Sequence, residues 1–186
     1  MVQALAACAT AVPPVNVTRF HLDRTIERGT IFVEPAPGTD AASLEYGAHA
    51  AAVTDELRQI GYVPTDTVAN ALYVAVVGIE RNTRAAPPRS SPVTIGVGGA
   101  TGGGGGGFGG GLSIALGGGG PSAITASQLA VQLKRRADGT VMWEGRARME
   151  AREKAPAAQP GLGAARLAAA LFGGFPGESG RTITVP

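Results

Sequence analysis

The sequence predicts an α+β domain: a mostly antiparallel sheet of about five to seven strands with two helices packed on it, plus a flexible glycine-rich hairpin. Three observations predict it. Short segments between Val15 and Val185 alternate apolar and polar side chains at strand spacing. Two stretches, 43–60 and 162–172, carry apolar residues at helical spacing instead. The resulting order, β-β-α-β, an insertion, then β-β-α-β, suits helices laid on one antiparallel layer.

Val15 to Phe20 opens the folded region as a strand. Gly29 to Glu34 is a second strand, ended by Pro35-Ala36-Pro37-Gly38. A helix follows, with Asp40 or Ser43 as its cap and Tyr46, Ala50, Val53, Leu57 and Ile60 along one face. Gly61 supplies its left-handed stop. Residues 71–80 are apolar on both alternating faces, which places them in a central strand covered from two sides.

Gln128 to Glu150 reads as a hairpin whose register can be argued. Leu129, Val131 and Leu133 alternate on one arm, and Val141, Trp143, Ala147 and Met149 on the other. A two-residue Asp138-Gly139 turn sets Leu133 opposite Glu144 and mixes the faces. A three-residue loop, Ala137-Asp138-Gly139, sets Leu133 opposite Trp143, with Gly139 as the left-handed residue, and is the expected turn. Beyond a Pro-Ala linker, Leu162 to Phe172 form an Ala-rich helix halted by Gly173-Gly174. A turn over 175–180 leads to a last strand over 181–185.

The 186 residues include 29 Gly and 13 Pro, with 16% charged and 5% aromatic residues. One domain with spare length fits these figures. A net charge of +2 and a pI near 9.0 are too mild to point to nucleic acid. The densest basic stretch, Lys134-Arg135-Arg136, lies among Asp138, Glu144, Glu150 and Glu153 and reads as a solvated strand face. No apolar run reaches the roughly 18 residues that span a bilayer.

Residues 96–120 hold 16 of the glycines. Phosphate-cradling loops use glycine too, but a P-loop ends in Gly-Lys-Ser/Thr, and there is no Lys from 85 to 133. Gly102 to Gly107 match a dinucleotide fingerprint only through low complexity, with no helical pattern beside them. The flanks are more telling. Val93, Ile95 and Val97 alternate on one side, and Leu112, Ile114 and Leu116 on the other. They predict two edge strands joined by a mobile loop around Phe108, whose ring is the candidate partner contact.

Chemistry is sparse. His21 ends the first strand and His49 sits beside the apolar face of the first helix; neither has a metal-ligand spacing, and both read as structural or solvated. Ser90, Ser91 and Ser179 lack a G-x-S-x-G elbow. Asp55 and Glu56 point apart on a helix, and Trp143 belongs to the core. No catalytic residue, cofactor or metal site is expected, and the protein is expected not to be an enzyme.

The lone cysteine is the exception. Leu5-Ala6-Ala7-Cys8 has the spacing of a lipobox, in which the thiol is diacylated and the preceding peptide removed. Only seven residues precede Cys8, with no Lys or Arg, whereas a secretory signal needs a basic start and roughly 7–15 apolar residues. Residues 1–7 therefore read as the remnant of a signal peptide whose true start lies upstream of Met1. Residues 8–14 read as a tether, and 15–186 as a single α+β domain with the insertion at 96–120.

Several segments together resemble the bacterial lipoprotein family known only as domain of unknown function 4136. They are Leu5 to Cys8, Val17-Thr18-Arg19-Phe20-His21, the 29–35 strand, the Ser43 to Tyr62 helix, Val141-Met142-Trp143-Glu144-Gly145 and Phe175-Pro176-Gly177-Glu178-Ser179-Gly180. The resemblance implies a secreted α+β domain anchored by lipid on Cys8, facing the periplasm from the outer membrane. Ala9 after the cysteine is compatible with that sorting. The family has no assigned catalytic residues, so none are carried over. The expected function is a lipid-anchored envelope module that is structural or binds an envelope protein partner; the alternative is a periplasmic domain binding a small ligand or peptide.

Overall fold

Alternation and helical spacing become seven strands and two helices in the computed structural model, which describes residues 12–22, 25–86 and 123–186. The strands are β1 (Val15–His21), β2 (Thr30–Pro35), β3 (Val63–Pro64), β4 (Tyr73–Ala85), β5 (Ala123–Arg135), β6 (Val141–Arg152) and β7 (Thr182–Val185). The helices are α1 (Leu44–Gln59) and α2 (Pro160–Phe172). One sheet contains all seven described strands, in the order β3-β2-β4-β5-β6-β1-β7.

The α+β expectation and the mostly antiparallel sheet hold at this level. The sheet is nevertheless mixed, because β2 pairs parallel with both β3 and β4. The two-residue β3 escapes a reading of the sequence because so short a strand has no period. The expected central strand over 71–80 is there, but pairing with β5 carries it to Ala85, well into polar sequence. The hairpin is likewise longer than expected, with β5 starting at Ala123 and β6 ending at Arg152. The glycine tract and the two strands expected within it, around Val93 and Ile114, fall outside the described residues.

The hairpin turn differs from the expectation in an instructive way. Leu133 does face Trp143, yet the loop has four residues, not three. Arg135 N–H donates to Thr140 O at 2.9 Å, and Gly139 N–H to Arg135 O at 2.9 Å, with Gly139 at φ +71°. A bulge at Met142 absorbs the extra residue and restores the register that keeps one face apolar.

Both helices lie on one face of the sheet. There Val15 and Val17, Ala75 and Val77, Leu129, Val131 and Leu133, and Trp143, Ala147 and Met149 meet Val53 and Leu57 of α1 and Leu167, Leu171 and Phe172 of α2. On the other face Gln128, Gln132, Glu144, Arg146, Arg148 and Glu150 point outward. Exposed pairs cross it: Arg84–Glu150 at 2.7 Å, Arg148–Glu150 at 3.1 Å and Arg146–Glu144 at 2.6 Å. Each such pair contributes little to stability, but together they keep that face wet. Val74 and Val76 are buried there without a helix above them, since the long side chains of Phe32, Glu34, Gln132 and Lys134 flank them on neighbouring strands.

The ends of α1 follow the sequence closely. Ser43 Oγ accepts from Tyr46 N–H, so Ser43 is the cap. At the other end Gly61 adopts φ +96°, its N–H donates to Arg58 O, and Tyr62 N–H donates to Leu57 O at 2.9 Å. These two bonds make a Schellman stop, and they draw Tyr62 into the core beside Leu57.

Burial has a consequence for Tyr62. Its hydroxyl finds no hydrogen-bond partner among the described residues, and its pKa is pushed up from 10.0 to about 12, chiefly by burial, with the Arg28 cation opposing the shift. The fold thus favours the neutral phenol. Its contribution is complete below pH 10 and is lost as pH rises from about 10 to about 12. Tyr62→Phe removes both the titration and the unpaired hydroxyl, so its denaturation midpoint should match or exceed wild type at pH 7 and fall less between pH 10 and 12. Parallel loss of stability in both proteins over that window would show that other groups control alkaline unfolding.

Candidate functional site

The two residues singled out for function, Cys8 and Phe108, lie outside the described residues, as do Ser90 and Ser91. The described chain nevertheless fixes where both segments join the fold. β1 runs from Val15 at the level of Met149 to His21 at the level of Trp143. β4 runs the opposite way, and Val15, Met149, Ser127 and Arg81 share one ladder. The chain toward Cys8 therefore leaves from the same end of the sheet as residues 86–122, which join Ala85 to Ala123. Both helices also begin at this end, because each follows a strand that runs toward it.

This end of the sheet is tied together by arginines. Arg166 of α2 donates from Nε and Nη2 to Pro13 O at 3.2 and 3.1 Å. Pro13 was read as part of a loose tether, but it is held against α2, so the fold starts two residues earlier than expected. Arg81 of β4 donates to Glu45 at the start of α1 (3.2 Å) and to the carbonyl of Ala158 ahead of α2. Beside it, Glu45, His49, Arg81, Gln159 and Gly163 line a small cleft. His49 is buried, 3% exposed, with Nδ1–H donating to Glu45 O at 2.9 Å; Nε2 has no partner among the described residues. The cleft works as a joint between α1, β4 and α2.

At the opposite end the helix C-termini carry carbonyls that no backbone N–H of their own helix reaches, and two more arginines meet them. Arg19 is 4% exposed and donates to Leu171 O and Ala170 O at 2.9 Å and to Gly173 O at 2.8 Å. Burial draws its pKa below the ordinary guanidinium value. Gly177, at φ +82°, passes so close that a Cβ there would lie 2.6 Å from Arg19 Nη1. Arg28 donates to Ile60 O at the end of α1 (2.7 Å) and stacks over Tyr62 and Phe175, 5.2 and 4.7 Å from the ring centroids. A cation at each helix C-terminus complements the macrodipole.

The remaining sequence-stated residues are structural in this arrangement. His21 sets Nδ1 and Nε2 3.1 Å from the carbonyls of Leu22 and Gly177, and Ser179 Oγ accepts from His21 N–H. Asp55 pairs with Arg58 at 2.6 Å, not with Glu56. Burial and then Asp55 raise the Glu56 pKa. Trp143 is fully buried, its Nε1–H donating to Pro176 O at 3.0 Å, with Phe172 and Phe175 against its ring. Of the basic run, Arg135 pairs with Asp138 and Arg136 donates to Ala71 O.

Arg19, Arg28, Arg81 and Arg166 were missed from sequence. Only Arg19 left a signal: it occupies the inward position that follows Val15 and Val17 in the alternation.

Comparison with known proteins adds fold and kinship. No family model matches the chain. Among solved structures, a PDZ domain protein from Parabacteroides distasonis superposes with a TM-score of 0.50 at 9% identity. That match covers 92% of this chain and 39% of the other, a likeness of fold alone. The PelC dodecamer from Paraburkholderia phytofirmans gives a TM-score of 0.47 at 12% identity, covering 84% of this chain and 93% of that one. In sequence, the uncharacterized protein ZMO1243 of Zymomonas mobilis subsp. mobilis is 33% identical, over 94% of this chain and 81% of its own length. At that identity and coverage, the chain belongs to the family of ZMO1243.

Proposed function

We propose that this protein is a lipoprotein of the bacterial cell envelope, acylated on Cys8, facing the periplasm from the outer membrane, and acting as a structural or protein-interaction module with no catalytic role. The observation that carries the reading is the placement of Leu5-Ala6-Ala7-Cys8 just ahead of the point where the chain is pinned to the fold, at Pro13. A lipobox cysteine needs to stand clear of a folded body to be reached by the acylating enzymes, and a residue inside β1 would not. The likeness to domain of unknown function 4136 points the same way. Two or three acyl chains at about 0.8 kcal/mol per buried methylene hold such a domain on a membrane almost permanently.

Metabolic labelling with a clickable fatty acid tests the reading in cells expressing the gene with its upstream sequence. Wild type should carry label in the membrane fraction, and Cys8→Ser should lose the label and appear in the soluble fraction. An unlabelled wild-type protein would overturn it.

A further inference from the structure

We infer that the anchor-side end of the domain, where α1 and α2 begin, rests on the bilayer surface, with Leu44 and Leu162 reaching the boundary between headgroups and acyl chains. The inference rests on acylation at Cys8, and it specifies which surface the membrane covers. Its basis is the length of chain left free. Arg166 holds Pro13 by two hydrogen bonds, so five Cα-to-Cα steps separate Cys8 from the pinned point. Fully extended, they reach roughly 17 Å.

That reach is short compared with the sheet. Val15 shares a ladder with Arg81, and Tyr73 lies eight residues further down β4, roughly 26 Å away. The exposed apolar side chains of the far end, including Val63 at 60% and Leu72 at 59%, sit at the level of Tyr73. They cannot be the part held at the surface. At the near end Leu44 is 93% exposed, the most exposed large apolar residue of the described chain, with Leu162 at 56% and Val12 at 59%.

The broad faces resist a domain lying flat. The middle of the open sheet face carries Glu144, Arg146 and Arg148, and the outer side of α1 carries Asp55 and Arg58. Pressing either face onto lipid would strip water from charges. The anchor-side end offers leucines at the starts of both helices, and it is the end the tether pulls down.

Cys8 is the sole cysteine, which allows the geometry to be tested apart from acylation in the cell. The purified full chain is coupled through Cys8 to a maleimide phospholipid in phosphatidylethanolamine/phosphatidylglycerol vesicles containing brominated acyl chains. Single tryptophans at Leu44→Trp, Leu162→Trp and Val63→Trp report proximity to the quencher, with buried Trp143 as a common background. Quenching several-fold stronger at Leu44→Trp and Leu162→Trp than at Val63→Trp is expected. Equal quenching at all three, or none above the Trp143 background, would overturn the orientation. Fatty-acid labelling in cells decides acylation separately, so either idea can fail without the other.

Discussion

Arg19→Met should lose about 3 kcal/mol of folding stability, because two buried carbonyls at the end of α2, Leu171 O and Ala170 O, would each be left without a donor at about 1–3 kcal/mol apiece, and the half-buried Gly173 O would lose its charge-assisted bond as well. The buried guanidinium is desolvated, which works against it, but its bonds are charge-assisted and it faces the negative end of a helix dipole. For a domain whose total stability is about 5–15 kcal/mol, that is a large share of the whole from one side chain. Arg19→Lys keeps the charge but not the planar fork, so it should fall between Met and wild type. Urea unfolding at constant m-value measures the effect. A loss under about 1 kcal/mol for Arg19→Met would mean that water reaches the α2 carbonyls once the side chain is gone.

Trp143→Ala should cost about 3–5 kcal/mol, the range for emptying an aromatic site in a core that cannot collapse. The indole is fully buried on β6, between β5 and β1, so the backbone has no freedom to close the space. Phe172 at 5.4 Å and Phe175 at 5.2 Å would lose their stacking partner, and Pro176 O its donor. The same ring explains Gly145, where a Cβ would lie 2.4 Å from Trp143 Cη2 and 2.7 Å from Leu171 Cδ1. Gly145→Ala should therefore be destabilising in wild type and much milder in a Trp143→Ala background. Chemical denaturation of the two single variants and the double variant gives the coupling directly. Additive losses would show that the Trp143 ring is not what excludes a side chain at position 145.

How much of this was legible depends on whether the governing interaction is local. Ser43 and Gly61 were readable because a cap and a left-handed stop act within a few residues of their own helix. The pairing of Leu133 with Trp143 was readable because one buried face enforces its own register, while the Met142 bulge was not, since many turns satisfy the same constraint. β3 is visible only as two residues that happen to pass β2. The four arginines were hidden for a related reason. Each acts on a carbonyl or carboxylate remote in sequence, as when Arg19 meets Leu171 and Arg166 meets Pro13.

By itself the sequence determined the class of fold, the helix with its two ends and the apolar face of the hairpin. All of these follow from period and turn chemistry, which are properties of neighbouring residues. The tertiary structure alone decided that β2 runs parallel to β4, that both helices point the same way, and that the chain toward Cys8 leaves from the end where they begin. It also decided that arginines, not carboxylates or polar caps, meet the helix C-termini. Direction and proximity between distant segments arise from burying one shared core, and no local pattern in the chain encodes them.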